Sequence, residues 1–151
     1  MPRITGNAKN GQPIIRVSLI PVLPAPQQLS HSSKPQSFTG LDCLALLDTG
    51  ADGTSVNRQA AEAANLTRRS KVLATGIGGQ DYYRSWTAYL GFYDDDSNSS
   101  MPFVLDEPLL AIEMKPYPAF AVIIGRDLLL KGTFTLRPNG DFEWELPATF
   151  D

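Results

Sequence analysis

The chain has 151 residues and a net charge of -3, which suits one domain with a sizeable core. At 42% hydrophobic and 19% charged residues, its composition is that of an ordinary water-soluble globular protein. The acidic balance argues against a nucleic-acid partner held through phosphate contacts. A single cysteine and a single histidine exclude an internal disulfide and a zinc site built from these two residue types.

The first elements of the chain are an arm and a strand. Residues 1–12 have no regular pattern and are expected to form a flexible N-terminal arm, so that the folded domain spans residues 13–151. Alternating apolar side chains predict a strand over residues 14–22. The proline-flanked, polar residues that follow predict a loop.

Residues 38–47 predict the next strand, and a short helix follows it. Leu44 and Leu46 make the second face of this strand apolar near its end, which predicts burial on both sides. The alanine-rich residues 57–65 predict the helix, with Ser55 or Asn57 as its N-cap.

Between this strand and this helix lies the motif Leu-Leu-Asp-Thr-Gly-Ala-Asp. Asp48 would leave the strand and enter a tight turn, in which Thr49 can form hydrogen bonds. Gly50 has no Cβ and lets backbone and ligand approach closely. An ordinary Asx turn would explain the same three residues without any chemistry.

The middle of the chain predicts a long hairpin over residues 71–92, folding at Thr-Gly-Ile-Gly-Gly-Gln. A short strand is predicted over residues 101–105. Three prolines predict that residues 106–118 form a long loop beside the core.

The last third contains a second motif, Ile-Ile-Gly-Arg-Asp-Leu-Leu. An inner strand is predicted over residues 121–124, followed by one or two helical turns over residues 126–131 that end at Gly132. Residues 133–146 predict a hairpin around a Pro-Asn-Gly turn. The elements together predict an all-β domain with two short helices.

The Asp-Thr-Gly-Ala-Asp segment, the glycine-rich hairpin tip and the Ile-Ile-Gly-Arg-Asp segment occur in this order. In this they resemble the retroviral-type, or retropepsin-like, aspartic proteases over roughly residues 38–134. The resemblance implies a closed, barrel-like acid-protease fold with a flap hairpin. The chain is longer than the compact viral enzymes, which favours a cellular relative with a single domain, such as a bacterial one.

The resemblance also implies a peptidase that needs no metal and no cofactor. Two carboxylates that share one proton can activate a water and protonate the substrate carbonyl. The chain has only one Asp-Thr-Gly, and Asp52 is too close in sequence to face Asp48 across a symmetric site. The second carboxylate is therefore expected to be Asp48 of another subunit, in a two-fold homodimer.

Matching positions carry the family's roles onto this chain. Asp52 would either pair with Arg126, in a partly buried ion pair, or lie at the rim of the substrate cleft. The expected site is catalytic at Asp48, Thr49 and Gly50, substrate-binding at Gly50, Ala51, Asp52, Gly76, Ile77, Gly78 and Gly79, and structurally supporting at Gly125, Arg126 and Asp127.

Two other interpretations of the sequence stay open. The first is a catalytically inactive retropepsin-like module for dimerisation or peptide binding, and the second is a small-ligand-binding β-barrel. The expected partners are a peptide or protein substrate and a second copy of the chain. No signal-peptide core and no apolar run of about 20 residues is found. We therefore expect no membrane span and a cytoplasmic location, whether alone or as a domain of a larger protein.

Overall fold

Strands dominate the computed structural model, which describes residues 2–8, 11–22, 40–76, 79–95 and 101–147. The strands in these ranges are β1 (Arg3–Asn7), β2 (Ile14–Pro21), β3 (Leu41–Leu47), β4 (Ser55–Asn57), β5 (Thr67–Gly76), β6 (Gly79–Phe92), β7 (Phe103–Val104), β8 (Leu109–Met114), β9 (Val122–Ile124), β10 (Thr133–Leu136) and β11 (Asp141–Glu145). The helices are α1 (Arg58–Ala63) and α2 (Arg126–Leu129). The prediction of an all-β fold with two short helices is confirmed.

The larger sheet closes on itself. Its strand order is β2-β3-β9-β4-β8-β6-β5, and β2 pairs a second time, with β6. The pairs Val17 with Phe92 and Leu19 with Leu90 join the two ends of this barrel. All four of these side chains are at most 1% exposed, so the seam of the barrel is also part of its core. The predicted barrel-like closure is confirmed.

The smaller sheet corrects the expectation of a flexible N-terminal arm. Residues 3–7 form β1, which pairs with β11 from Arg3 opposite Glu145 to Asn7 opposite Asp141. Ile4 lies in the core beside Trp144, which is fully buried. The strand β1 was missed because its pairing partner lies about 140 positions away, so no local pattern marks it. Residues 1, 9 and 10 of the predicted arm lie outside the described ranges.

The expected loop over residues 106–118 contains a strand instead. β8 lies between β4 and β6, and its Ala111 is 1% exposed. The prolines at 108, 116 and 118 flank this strand without interrupting its hydrogen bonds. They therefore mark its ends, and the prediction of a continuous loop was wrong.

Local side chains explain where the helix and the hairpins begin and end. Asn57 caps α1 by accepting a hydrogen bond from Ala60 N at 2.7 Å, which selects it over Ser55. In the β10–β11 hairpin, Gly140 has φ +92, a conformation that glycine adopts without strain. The helix cap and the hairpin turn both agree with the sequence pattern.

Cys43 packs against the core as a small apolar side chain. Burial raises the pKa of its thiol to about 11, so the thiol stays protonated at neutral pH. In the described ranges, no helix has both the length and the apolar character needed to cross a bilayer.

Candidate active site

Asp48 is the first residue after β3, next to the end of β9. β3 runs parallel to β9, with Leu47 opposite Ile124. The backbone N–H of Asp48 donates to the carbonyl oxygen of Ile124 at 2.9 Å. The first residue after β3 is thus still tied to the neighbouring strand, which fixes the position of its Cα.

The turn after Asp48 holds the carboxylate through its own backbone. Gly50 N donates to Asp48 Oδ1 at 2.8 Å, and Ala51 N donates to the Asp48 carbonyl at 3.2 Å. Asp48 is half-buried, whereas Thr49 and Gly50 are exposed. The expected catalytic residues therefore form an Asx turn at the surface of the single chain.

Gly125 lies directly behind this turn. A Cβ at this position would lie 2.5 Å from the carbonyl oxygen of Gly53 and 2.9 Å from that of Ala51. Arg126 N donates to the Ala51 carbonyl at 2.8 Å, and Asp127 N donates to that of Asp52 at 3.3 Å. The two sequence motifs are thus in backbone contact, and only glycine fits where they meet.

Asp127 binds a residue that the sequence did not single out. Its carboxylate accepts hydrogen bonds from Thr54 N at 3.0 Å and from Thr54 Oγ1 at 2.8 Å. Thr54 Oγ1 also accepts a bond from Gly125 N at 3.4 Å. Thr54 is 1% exposed, so these bonds satisfy a buried hydroxyl. A threonine between two motifs carries no signal of its own, because its partners are more than 70 positions away.

Arg126 reaches the opposite side of the same loop. Its guanidinium forms an ion pair with the Asp52 carboxylate and donates to the Thr49 carbonyl at 3.3 Å. The side chains are 47% and 92% exposed, respectively. The expected partners are therefore together, but the pair is exposed in the single chain and not partly buried as expected.

A mostly apolar row, with one serine among its four residues, runs across the sheet from the Asp48 turn. Neighbouring strands place Leu46 opposite Ile123, Ile123 opposite Ser55, and Ser55 opposite Ile112. All four are half-buried, and they face away from the core, because their strand neighbours are the buried ones. Leu44, further along β3, is 47% exposed. The prediction that this end of β3 is buried on both sides was wrong, because one face is open.

The glycine-rich hairpin tip is described only at its two ends. Gly76 and Gly79 are opposite each other in the β5–β6 pair, and Gly79 has φ +107. The expected substrate-binding residues Ile77 and Gly78 lie outside the described ranges. In the residues that are described, no group of three His, Cys, Asp or Glu side chains is placed to hold a metal ion.

A closed barrel with an Asp-Thr-Gly turn buttressed by a Gly-Arg-Asp segment defines a retropepsin-like protein. The sequence matches the model of the retroviral aspartyl protease family over residues 12–137, and the chain belongs to that family. No curated protein matches the chain.

Among solved structures, the fold is similar to that of a retropepsin-like aspartic protease from Rickettsia conorii. The TM-score is 0.57 at 11% identity, over 95% of this chain and 90% of that one.

Proposed function

We propose that the protein is an aspartic endopeptidase, active as a homodimer in which each subunit supplies one Asp48 carboxylate. The observation that carries the proposal is the Asp48 carboxylate on an exposed turn, tied to the backbone through Gly50 N at 2.8 Å. A carboxylate fixed in this way needs little reorganisation when a substrate binds.

The neighbouring acids support a second subunit as the source of the other carboxylate. Asp52 is paired with Arg126, and Asp127 accepts two bonds from Thr54. Both acidic side chains near Asp48 are therefore engaged in holding the loop. A second Asp48, related by a two-fold axis, supplies a carboxylate in the same chemical setting.

Two such carboxylates in close contact cannot both be ionised, so they share one proton. The ionised Asp48 takes a proton from a water, whose oxygen attacks the peptide carbonyl carbon. The protonated Asp48 gives its proton to the carbonyl oxygen, and a tetrahedral diol forms. The protonated Asp48 then gives its proton to the amide nitrogen, while the ionised Asp48 takes a proton from a hydroxyl of the diol. The C–N bond breaks, a carboxylic acid and an amine are released, and one shared proton remains on the pair.

The surroundings of the turn suit an extended peptide. The Gly50 carbonyl would accept a main-chain hydrogen bond, and Ala51 and Asp52 would line the cleft beside it. The apolar row from Leu46 to Ile112 would contact side chains near the scissile bond, because it begins two residues before Asp48. The hairpin tip at residues 76–79 would close over the peptide and exclude water.

The test is cleavage of a denatured protein mixture at about pH 4 to 7, with wild type beside Asp48→Asn. We expect the variant to lose all cleavage, because an amide cannot act as the base, while circular dichroism stays unchanged. Mixing equal amounts of wild type and variant should lower wild-type activity to about half, since random pairing places half of the wild-type chains in heterodimers. Full cleavage by the pure variant would refute the assignment, and undiminished activity in the mixture would refute the shared site. If the wild type cleaves nothing, the remaining interpretation is a catalytically inactive module for dimerisation or peptide binding.

A further inference from the structure

The hairpin of β5 and β6 extends beyond the barrel as a ribbon of two strands. β6 pairs with β8 from Ser85 to Ala88, whereas from Gly79 to Arg84 its pairing is with β5 alone. Residues that are directly opposite in paired strands point to the same face of a sheet, and neighbours along a strand point to opposite faces. The register therefore shows which side chains of the ribbon share a face with the mostly apolar row next to the Asp48 turn.

Ser85 connects the ribbon to that row. It is opposite Ile112, and Ile112 is opposite Ser55, so all three side chains lie on the open face of the larger sheet. Two and four residues before Ser85, Tyr83 and Asp81 point to the same face. We call this the inner face of the ribbon, and with the opposite residues of β5 it consists of Val72, Ala74, Asp81 and Tyr83.

Burial distinguishes the inner face of the ribbon from its outer face. Val72, Ala74 and Tyr83 on the inner face are half-buried. On the outer face, Leu73 is 50% exposed and Tyr82 is 65% exposed. The inner face is therefore the side of the ribbon that is turned towards the rest of the chain.

Asp81 is the charged member of the inner face. It is exposed, and its Oδ1 accepts a hydrogen bond from Tyr82 N at 2.8 Å. Among the described residues, no lysine or arginine forms an ion pair with it. The cation on the same face, Arg69, is opposite Ser85, four residues from Asp81 and about 13 Å along the strand. The carboxylate of Asp81 thus has no cationic partner within the described chain.

A peptide held under the ribbon would change the surroundings of this carboxylate. Closure over a peptide removes water, and a carboxylate that loses water without gaining a partner destabilises the complex. A lysine or arginine side chain of the peptide would supply the missing charge. Ala74, opposite Asp81, has only a methyl group, which leaves room for a long side chain. The ring of Tyr83, two residues away on the same face, can pack against the cation or its alkyl stem.

We propose that Asp81 gives the cleft a preference for substrates that carry a lysine or an arginine close to the scissile bond. This inference rests on the proposed peptidase and names the class of its substrates. The cationic group would donate a charge-assisted hydrogen bond to the Asp81 carboxylate. An acidic side chain in the same place would be repelled. Since the row from Leu46 to Ile112 suits apolar side chains, the expected substrate combines apolar residues with one cation.

Matched peptides test the preference. The two peptides of a pair differ at one position, which is lysine in one and methionine, of similar length but neutral, in the other. The position is moved through the residues on both sides of the scissile bond. We expect kcat/KM for the lysine peptide to be about tenfold higher at one position or more. Asp81→Asn should bring this ratio close to one, and Asp81→Lys should bring it below one. Raising the ionic strength from about 0.1 M to 1 M should lower the wild-type ratio, because salt screens the attraction.

The control moves the charge to the outer face of the ribbon. Gln80 is the neighbour of Asp81 on β6, and its side chain points to the outer face. Combining Asp81→Asn with Gln80→Asp restores the wild-type net charge, and the ratio should stay at the value for Asp81→Asn alone. A return to the wild-type ratio would overturn the inference, because net charge and not the inner face would then set the preference. A wild-type ratio near one at every position would also overturn it, as would a ratio that Asp81→Asn leaves unchanged.

Binding of the same peptides to Asp48→Asn separates this inference from the proposed peptidase. Fluorescence anisotropy gives the ratio of the two dissociation constants without cleavage. A preference for the lysine peptide that Asp81→Asn removes in this background supports the inference, and if the wild type cleaves nothing, only the peptidase is refuted. Cleavage by the wild type without a preference in either measurement overturns the inference and leaves the peptidase. The absence of both cleavage and binding for every peptide refutes both.

Discussion

Arg126 and Asp127 are neighbours in sequence, and they hold opposite sides of one loop in different ways. Asp127 binds the backbone and hydroxyl of Thr54, which is 1% exposed. Arg126 binds Asp52 with both partners largely open to solvent. Hydrogen bonds that satisfy buried groups stabilise the fold of a single chain, whereas an exposed ion pair contributes little. Asp127 therefore serves the folding of the loop, whereas the ion pair of Arg126 contributes little to it in the single chain.

Gly125 directly precedes Arg126 and Asp127, and replacing it tests the backbone contact that places both of them against the loop. We expect Gly125→Ala to lower the free energy of unfolding by about 3 kcal/mol, because its methyl group would meet two backbone carbonyls that cannot move without opening the loop. Urea denaturation measures this loss. Gly53→Ala is the matched control, since no heavy atom lies within 4 Å of a Cβ there. Equal effects in the two variants would contradict the backbone contact.

Asp127→Ala should have the next largest effect on the stability of the single chain. The change leaves the buried N–H and hydroxyl of Thr54 without their acceptors, at a cost of about 2 kcal/mol. Asp127→Asn keeps one acceptor oxygen and should lose about half of that. Thermal and urea unfolding of both variants check the order. An alanine variant as stable as wild type would show that water replaces the carboxylate at Thr54.

Arg126→Ala should change the stability of the single chain least, by less than about 1 kcal/mol, because the ion pair with Asp52 is exposed. Its larger effect should be on the proposed dimer, whose dissociation constant should rise. Arg126→Lys keeps the charge but loses the forked geometry that reaches both Asp52 and Thr49. Its dimer dissociation constant should therefore lie between those of wild type and Arg126→Ala. Sedimentation beside urea denaturation separates these effects. A loss of stability as large as that of Asp127→Ala would remove the distinction between the two neighbours.

The sequence predicted what short-range chemistry determines. The Asp48 turn, the glycine at 125, the Asn-capped helix and the Pro-Asn-Gly hairpin each depend on residues within a few positions, and all are present. The Arg126–Asp52 pair was also expected, because the family resemblance supplied a long-range contact.

What the sequence did not predict depends on distant partners. β1 is a strand because it pairs with β11, and β8 is a strand because it pairs with β4 and β6. The local sequence pattern shows none of these pairing partners. Thr54 links the two motifs only because Asp127 reaches it from the second one. The open face of β3 was missed for the same reason, since apolar residues at alternate positions do not say which neighbour covers them.

β6 is a single strand of 14 residues, and its two parts differ in the number of strands that they pair with. From Ser85 to Ala88, and again at Gly91 and Phe92, it pairs with strands on both sides, with β5 or β2 on one side and with β8 or β7 on the other. From Gly79 to Arg84 its pairing is with β5 alone, and the ion pair of Arg84 with Glu113 at 3.1 Å lies at the transition. In the described residues, β6 is therefore held by two neighbouring strands within the barrel and by β5 alone near its glycine end. A ribbon of two strands bends more easily than a closed wall, so we expect the described residues from Gly79 to Arg84 to bend more easily than the part of β6 that shares the barrel with Asp48.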